Sequence, residues 1–168
     1  ASGLKTGLRI AVPNPHELGA DRIANAVSAI HDYPGEDLVV LDFGTAITVC
    51  VVTAKREYLG GLIVPGLRLS MEALEQNTAR LPTVEIKVPD ALVGRTTVEN
   101  IQAGLYYSAL GMCKEVVARL KAGGQVSDQV KVIGTGGFSR LFLEEGIFDA
   151  HEPDLVLKGL YRVHELNN

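Results

Sequence analysis

The chain is predicted to form an α/β domain around one mixed sheet, in which antiparallel hairpin strands come first and helices pack the faces. Three observations predict it. Two β-rich runs, 38–42 and 46–53, flank a Gly-Thr turn too short for a crossover, so they pair as a hairpin. Segments with apolar residues at three-to-four spacing alternate with the strand candidates. A third apolar run, 130–133, ends in Gly134-Thr135-Gly136-Gly137, a strand-to-helix signal.

Each element follows from local chemistry. Residues 1–19 read as an extended lead, because VPNPHELG carries two prolines and a glycine. Residues 21–30 read as a helix with Ile23, Ala26, Val27 and Ile30 along it, and Tyr33-Pro34-Gly35 breaks it. After the hairpin, VCVVTAKREYLGG predicts a further turn and a short third strand. Pro65-Gly66 opens a helix through Ser70, Ala73 and Leu74 that ends near Thr78. Leu81-Pro82 is a break, and the alternation over 84–88 predicts another strand. Thr96 or Thr97 can cap a long helix, with Glu99 or Asn100 early in it, that stops at Gly123-Gly124. Its face carries Ile101, Leu105, Ala109, Met112, Val116 and Leu120. Gly104 and Gly111 read as small residues that let another element come close. A short helix around 139–144 and a final helix over 155–166 complete the chain, which has no internal repeat.

Totals exclude several function classes. The 168 residues suit one domain, and 46% hydrophobic with 21% charged residues is an ordinary globular composition. No apolar run approaches the roughly 20 residues that span a bilayer, so no membrane is expected as partner. The net charge is −4 and no basic block is present, which argues against nucleic acid. Cys50 and Cys113 are too few and too scattered for a disulfide framework or a zinc site; both read as buried thiols of a reducing cytoplasm. His16, His31, His151 and His164 show no metal-ligand spacing.

Three constellations carry chemistry. In LDFGTAITVCVV a strand ends in Asp42 and turns through Gly44 and Thr45; backbone amides beside a carboxylate can hold a phosphate together with its cation. Asp42-Phe43-Gly44 is not the protein-kinase motif, since no glycine-rich loop, HRD or VAIK accompanies it. In GTGG, glycines before a helix admit an anionic ligand or make a plain turn; neither a P-loop lysine nor dinucleotide spacing is present. In Gly19-Ala20-Asp21-Arg22, Asp21 and Arg22 are either a helix-start acid and a surface charge, or a base toward a hydroxyl and a fork for a carboxylate. Turn chemistry suffices for Gly60-Gly61 and Pro65-Gly66, though glycine also admits a ligand near the backbone.

In order, LKTGLRI, NPHELGADR, VVLDFGTAITV, YLGGLIVPGLRLSMEAL, TARLPTVEI, GRTTVENIQAGLYY, VIGTGG and DLVLKGLYRVHELN cover essentially the whole chain. Together they resemble type III pantothenate kinase, a family of the actin-like (ribonuclease H-like) ATPase superfold. The resemblance implies transfer of the ATP γ-phosphoryl group to the 4′-hydroxyl of pantothenate, the first step of coenzyme A synthesis. It implies Mg²⁺, a monovalent cation (K⁺ or NH₄⁺), and a homodimer with the long helix at its interface. By position, Asp21 resembles the general base, and Gly19 and Arg22 join it around pantothenate. Asp42 matches the acid at the cation site. Gly44 and Thr45 match a phosphate loop, Gly136 and Gly137 the adenosine loop. Thr97 matches the threonine that reaches pantothenate across the dimer interface.

The chain departs from the family at several points. Family members begin with a domain bearing an Asp-x-Gly-Asn-Thr phosphate loop, and no such run occurs in the sequence. The expectation is that 1–168 is a single actin-like domain corresponding to the C-terminal half of a two-domain kinase. That half alone is expected to be inactive or weakly active, with the N-terminal half a further segment or a separate chain. Cys50 stands where the family commonly has Asp, which reads as a core cysteine or an altered cation site. Val12-Pro13 replaces Tyr-Asp, and Thr96 replaces Asn. The rival reading is a non-catalytic dimeric regulator of the same fold, an accessory factor for transcriptional activation.

Overall fold

Six strands form one mixed sheet in the computed structural model, which describes residues 3–78 and 80–168. Ala1 and Ser2 of the lead and Ala79 of TARLP lie outside the described residues. The strands are β1 (Arg9–Ile10), β2 (Leu38–Phe43), β3 (Ala46–Val52), β4 (Glu57–Pro65), β5 (Lys131–Thr135) and β6 (Ala150–His151), in the order β1-β4-β3-β2-β5-β6. β2, β3 and β4 are antiparallel neighbours, as the short turns require. β5 runs parallel to β2, and β6 parallel to β5. The helices are α1 (Ala20–Asp32), α2 (Leu67–Asn77), α3 (Thr97–Ala122) and α4 (Leu155–Asn167), with 3₁₀ turns at Pro15–Glu17 and Ser139–Glu145.

Alternation along β2 and β3 makes two cores. Leu38, Val40, Cys50 and Val52 face α1 and α4, where Ala26, Ala29, Ile30 and Leu155 cover them. Val39, Leu41, Phe43, Ile47, Val49 and Val51 face the other way, toward α2, α3 and Phe142. Burial on both faces explains why β2 reads as a nearly unbroken apolar run. α1 and α4 approach so closely that a Cβ on Gly159 would lie 1.8 Å from the Ala24 carbonyl oxygen.

α3 starts as its sequence predicts. Thr96 is the cap: its hydroxyl accepts from the Glu99 amide at 3.2 Å, and the Glu99 carboxylate accepts from the Thr96 amide. The expected face is buried at Ile101, Leu105 and Ala109, but only partly at Met112, Val116 and Leu120.

Four expectations need correction. Residues 84–88 are extended but form no strand. Their alternation packs Val84 and Ile86 against the core, and Gln102 on α3 donates to the Glu85 carbonyl at 3.0 Å. A helix offers no backbone ladder, so no strand pairing forms there. The third strand is nine residues rather than short, because its ladder with β3 continues to Ala46↔Pro65. β1 interrupts the segment that reads as an extended lead, and β6 falls between the last two helices, where no element is expected. Gly104 and Gly111 admit no close neighbour within this chain, since a Cβ at either meets nothing within 4 Å.

Candidate functional site

The carboxyl ends of the parallel strands β2 and β5 meet at one corner, the position where open α/β sheets bind ligands. Asp42 lies there, in register with Thr135. The two following loops interlock around it. Gly136 has φ +89°, and a Cβ there would fall 2.4 Å from Asp42 Oδ1 and 2.6 Å from the Phe43 backbone. A glycine is therefore required on both conformational and spatial grounds. Phe138 donates its amide to the Phe43 carbonyl at 3.1 Å, tying the second loop to the first.

α2 closes the corner from the opposite side. Gly66 donates its amide to the Thr45 carbonyl at 3.0 Å, and a Cβ on it would sit 2.3 Å from that oxygen. Gly66 thus admits the Gly44–Thr45 backbone, and Gly61 likewise faces the backbone of Val49. Gly44, Thr45, Gly137 and Phe138 line a cleft of 360 Å³ with Arg68 and Glu72 of α2. The Arg68 guanidinium lies over the Phe138 ring, 5.9 Å from its centroid.

α1 supplies the remaining groups, in one turn of helix. Asp21 is exposed in its first turn. A Cβ on Gly19 would come within 2.5 Å of Asp21 Oδ1, so the glycine leaves that carboxylate its place. Asn25, four residues on and 1% exposed, donates to Asp42 Oδ2 at 2.8 Å. Burial lifts the Asp42 carboxyl above its ordinary 3.8; the Asn25 amide pulls it back, and the Asp21 charge raises it further. The two carboxylates therefore sense each other across Asn25.

Arg22 points to another partner. Its Nη2 donates to the Tyr58 hydroxyl at 2.9 Å, and that hydroxyl donates to Cys50 Sγ at 3.2 Å. Cys50 is buried, and its bond is to Tyr58 rather than to Asp42; it fills a core site. Cys113 is also buried, which pushes its thiol up to about 12 and leaves it inert.

Thr97 lies elsewhere. It opens α3, is exposed, and lines an apolar groove of 840 Å³ between α2 and α3 with Leu69, Leu74 and Ile101. The structure thus brings Asp21, Asp42, Gly44 and Gly136 together, sets Gly19 and Arg22 beside them on α1, and places Thr97 on a separate surface.

Among the described residues no three His, Cys, Asp or Glu side chains gather as a metal cage. The oxygen donors around Asp42 nonetheless suit a hard cation. Asn25 Oδ1 and Thr48 Oγ1 are buried without a partner, and Thr48 is the cross-strand neighbour of Asp42. Reading the sequence alone missed Asn25, Tyr58 and Arg68. Asn25 had a signal, its i+4 spacing from Asp21, which puts both on one face of a helix. Tyr58 and Arg68 had none beyond their motifs.

The family model described as type III pantothenate kinase matches residues 1–119. The chain belongs to the type III pantothenate kinase family. A type III pantothenate kinase of Legionella pneumophila (strain Paris) is 52% identical over 159 residues, covering 95% of this chain and 62% of that protein. Type III pantothenate kinase 1 of Francisella tularensis subsp. holarctica (strain OSU18) is 43% identical over 165 residues, covering 98% and 64%. The chain thus spans less than two thirds of the curated family members it matches. A crystal structure described as a conserved Baf family transcriptional activator from Campylobacter jejuni superposes with a TM-score of 0.61 at 23% identity, covering 95% of this chain and 69% of that one. That likeness shows the shared fold, the actin-like α/β architecture of the pantothenate kinase family. Motifs GADR and DFGTA lie inside the matched region, and GTGG lies beyond it.

Proposed function

We propose that this chain supplies the pantothenate- and phosphate-binding half of a kinase that moves the γ-phosphoryl group of ATP to the 4′-hydroxyl of pantothenate. One observation carries the reading: Asp21, Asn25 and Asp42 form a line of polar groups that ends between two glycine loops. Phosphoryl transfer needs an oriented nucleophile, phosphate positioning and charge neutralisation, and the corner has a group for each. Asp21, exposed at a helix start, accepts the hydroxyl proton as the oxygen attacks phosphorus and the bond to ADP breaks. Arg22 takes the pantothenate carboxylate, with Gly19 keeping the approach to Asp21 open. Gly44 and Thr45 face the phosphates, and Gly136 and Gly137 the adenosine side. Asp42, with Asn25 Oδ1 and Thr48 Oγ1 near it, would hold the monovalent cation, K⁺ or NH₄⁺; Mg²⁺ would arrive on the ATP phosphates. When bound, these cations neutralise phosphate charge.

The remaining parts of the reading concern assembly. Residues 1–168 correspond to one actin-like domain, the second half of a two-domain cytoplasmic kinase. The apolar groove beside Thr97 supports a homodimer built on α3, with Thr97 directed at the partner's pantothenate. The regulator reading has two grounds, Cys50 and the absent first phosphate loop; against the first, that thiol sits under Tyr58 and the Asp42–Asn25 bond is intact.

The test is a coupled pantothenate-phosphorylation assay on the full-length protein. Asp21→Asn is expected to lower kcat by about 10²–10⁴-fold with pantothenate binding largely kept. Normal turnover in that variant, or no turnover in the wild type, would overturn the proposal.

A further inference from the structure

Arg22 is the cation that α1 brings to the candidate site, and a guanidinium recognises a carboxylate well only when its planar fork is held at the right angle. Little on α1 itself holds it. Its Nε is buried without a hydrogen-bond partner, and the partner of Nη2 is Tyr58 on β4. Tyr58 is fully buried, so it cannot touch a ligand in the corner. The phenol has one proton, and both neighbours constrain it. Arg22 can only donate, so the Tyr58 oxygen must accept from it at 2.9 Å and send its own proton to Cys50 Sγ at 3.2 Å. Burial, with the Cys50 thiol, pushes the phenol well above its ordinary value, so the hydroxyl keeps that proton. The guanidinium also leans on the ring, its carbon 5.9 Å from the centroid.

We infer that Tyr58, aligned by Cys50, is the positioning residue that aims Arg22 at the acid end of the substrate and so sets the preference for a carboxylate. This rests on the pantothenate reading of Arg22. The end of the fork left open is Nη1, which has no bond among the described residues and is not one of the buried unpartnered atoms, so an incoming carboxylate can meet it while Tyr58 keeps Nη2 fixed. The direction of the chain also explains why a cysteine serves at position 50. Sulfur accepts weakly, which suffices to orient the phenol.

The experiment compares two substrates on the full-length enzyme: pantothenate, and its alcohol analogue with a hydroxymethyl group in place of the carboxylate. Tyr58→Phe should raise KM for pantothenate by about tenfold, keep kcat within about twofold, and leave KM for the alcohol unchanged. An equal rise for both substrates would assign Tyr58 a merely structural role and overturn the inference, as would no rise at all. Should Tyr58→Phe fail to fold, Cys50→Val decides: it removes only the acceptor and should give the same carboxylate-selective rise, about threefold, while Cys50→Ser stays near the wild type. A Cys50→Val enzyme with unchanged selectivity would overturn it too. Wild-type enzyme that does not use pantothenate would instead sink the parent reading, a result distinct from either.

Discussion

On the α2–α3 side of the sheet, Val39, Leu41, Phe43 and Val49 meet apolar helix faces, and the aromatic rings of Phe43, Phe142 and Tyr106 stack in sequence at 4.7 and 4.8 Å. On the α1 side, the same strands present Asp42, Thr48 and Cys50 to Arg22, Asn25 and Ser28. Among the described residues, the buried side-chain atoms without partners all belong to that second side: Arg22 Nε, Asn25 Oδ1, Ser28 Oγ and Thr48 Oγ1. Unpaired buried polar atoms lower stability, so the α1 side, although it has an apolar core of its own, carries a cost that the α2–α3 side does not. One sheet serves both because strand side chains alternate.

That division can be broken most directly at Phe142. Phe142→Ala should cost about 3–5 kcal/mol by denaturant titration, with pantothenate affinity of the folded protein unchanged. Loss of affinity at constant stability would show that the faces are not separate.

The pH dependence of the two sides should have opposite signs. Asp42 is held above its ordinary 3.8, mainly by burial, so its ionisation destabilises the fold as pH rises through that value. Asp42→Asn should therefore make the ligand-free protein more stable at neutral pH, with the gain vanishing in acid, while phosphorylation and its cation response fall. Glu145, beside the aromatic stack, is held below its ordinary 4.5, first by the Tyr106 hydroxyl and then by Lys114. Its contribution is present above 4.5 and is lost as pH falls through the lowered value. Glu145→Gln should be less stable than wild type at neutral pH and equal to it in strong acid. Melting curves across pH check both; two slopes of the same sign would contradict the comparison.

The smallest effect belongs to neither face. Thr96→Ala removes one bond of the α3 cap and should cost about 1 kcal/mol in thermal unfolding, with KM unchanged. A changed KM would instead tie this end of α3, and Thr97 beside it, to the substrate.

Periodicity made the helices and the β2–β3 hairpin legible, because each is decided by neighbours in sequence. It did not separate Thr96 from Thr97 as the cap, since both can accept from an amide three residues on. The segment 84–88 shows the limit more clearly: alternation specifies an extended chain, and only the tertiary partner decides whether it becomes a strand. β1 and β6, two residues each, carry no pattern of their own and exist because β4 and β5 offer edges. At the candidate site, Asp21, Asp42 and the glycines were visible as motifs. The bonds that orient them, Asn25 to Asp42 and Tyr58 to Arg22, join different elements and were not.

The position of β5 beside β2 governs how the molecule assembles in time. β2, β3 and β4 are joined by tight turns and can zip locally, whereas β5 reaches β2 only after the long passage through α2 and α3. Closing that passage carries a larger entropic cost, so Gly136 arrives at Asp42 late in folding. A ligand that needs both loops then binds nothing on the way to the barrier. It should slow unfolding while leaving the refolding rate unchanged, and its presence in the cell would lengthen the lifetime of the finished protein without hastening its formation.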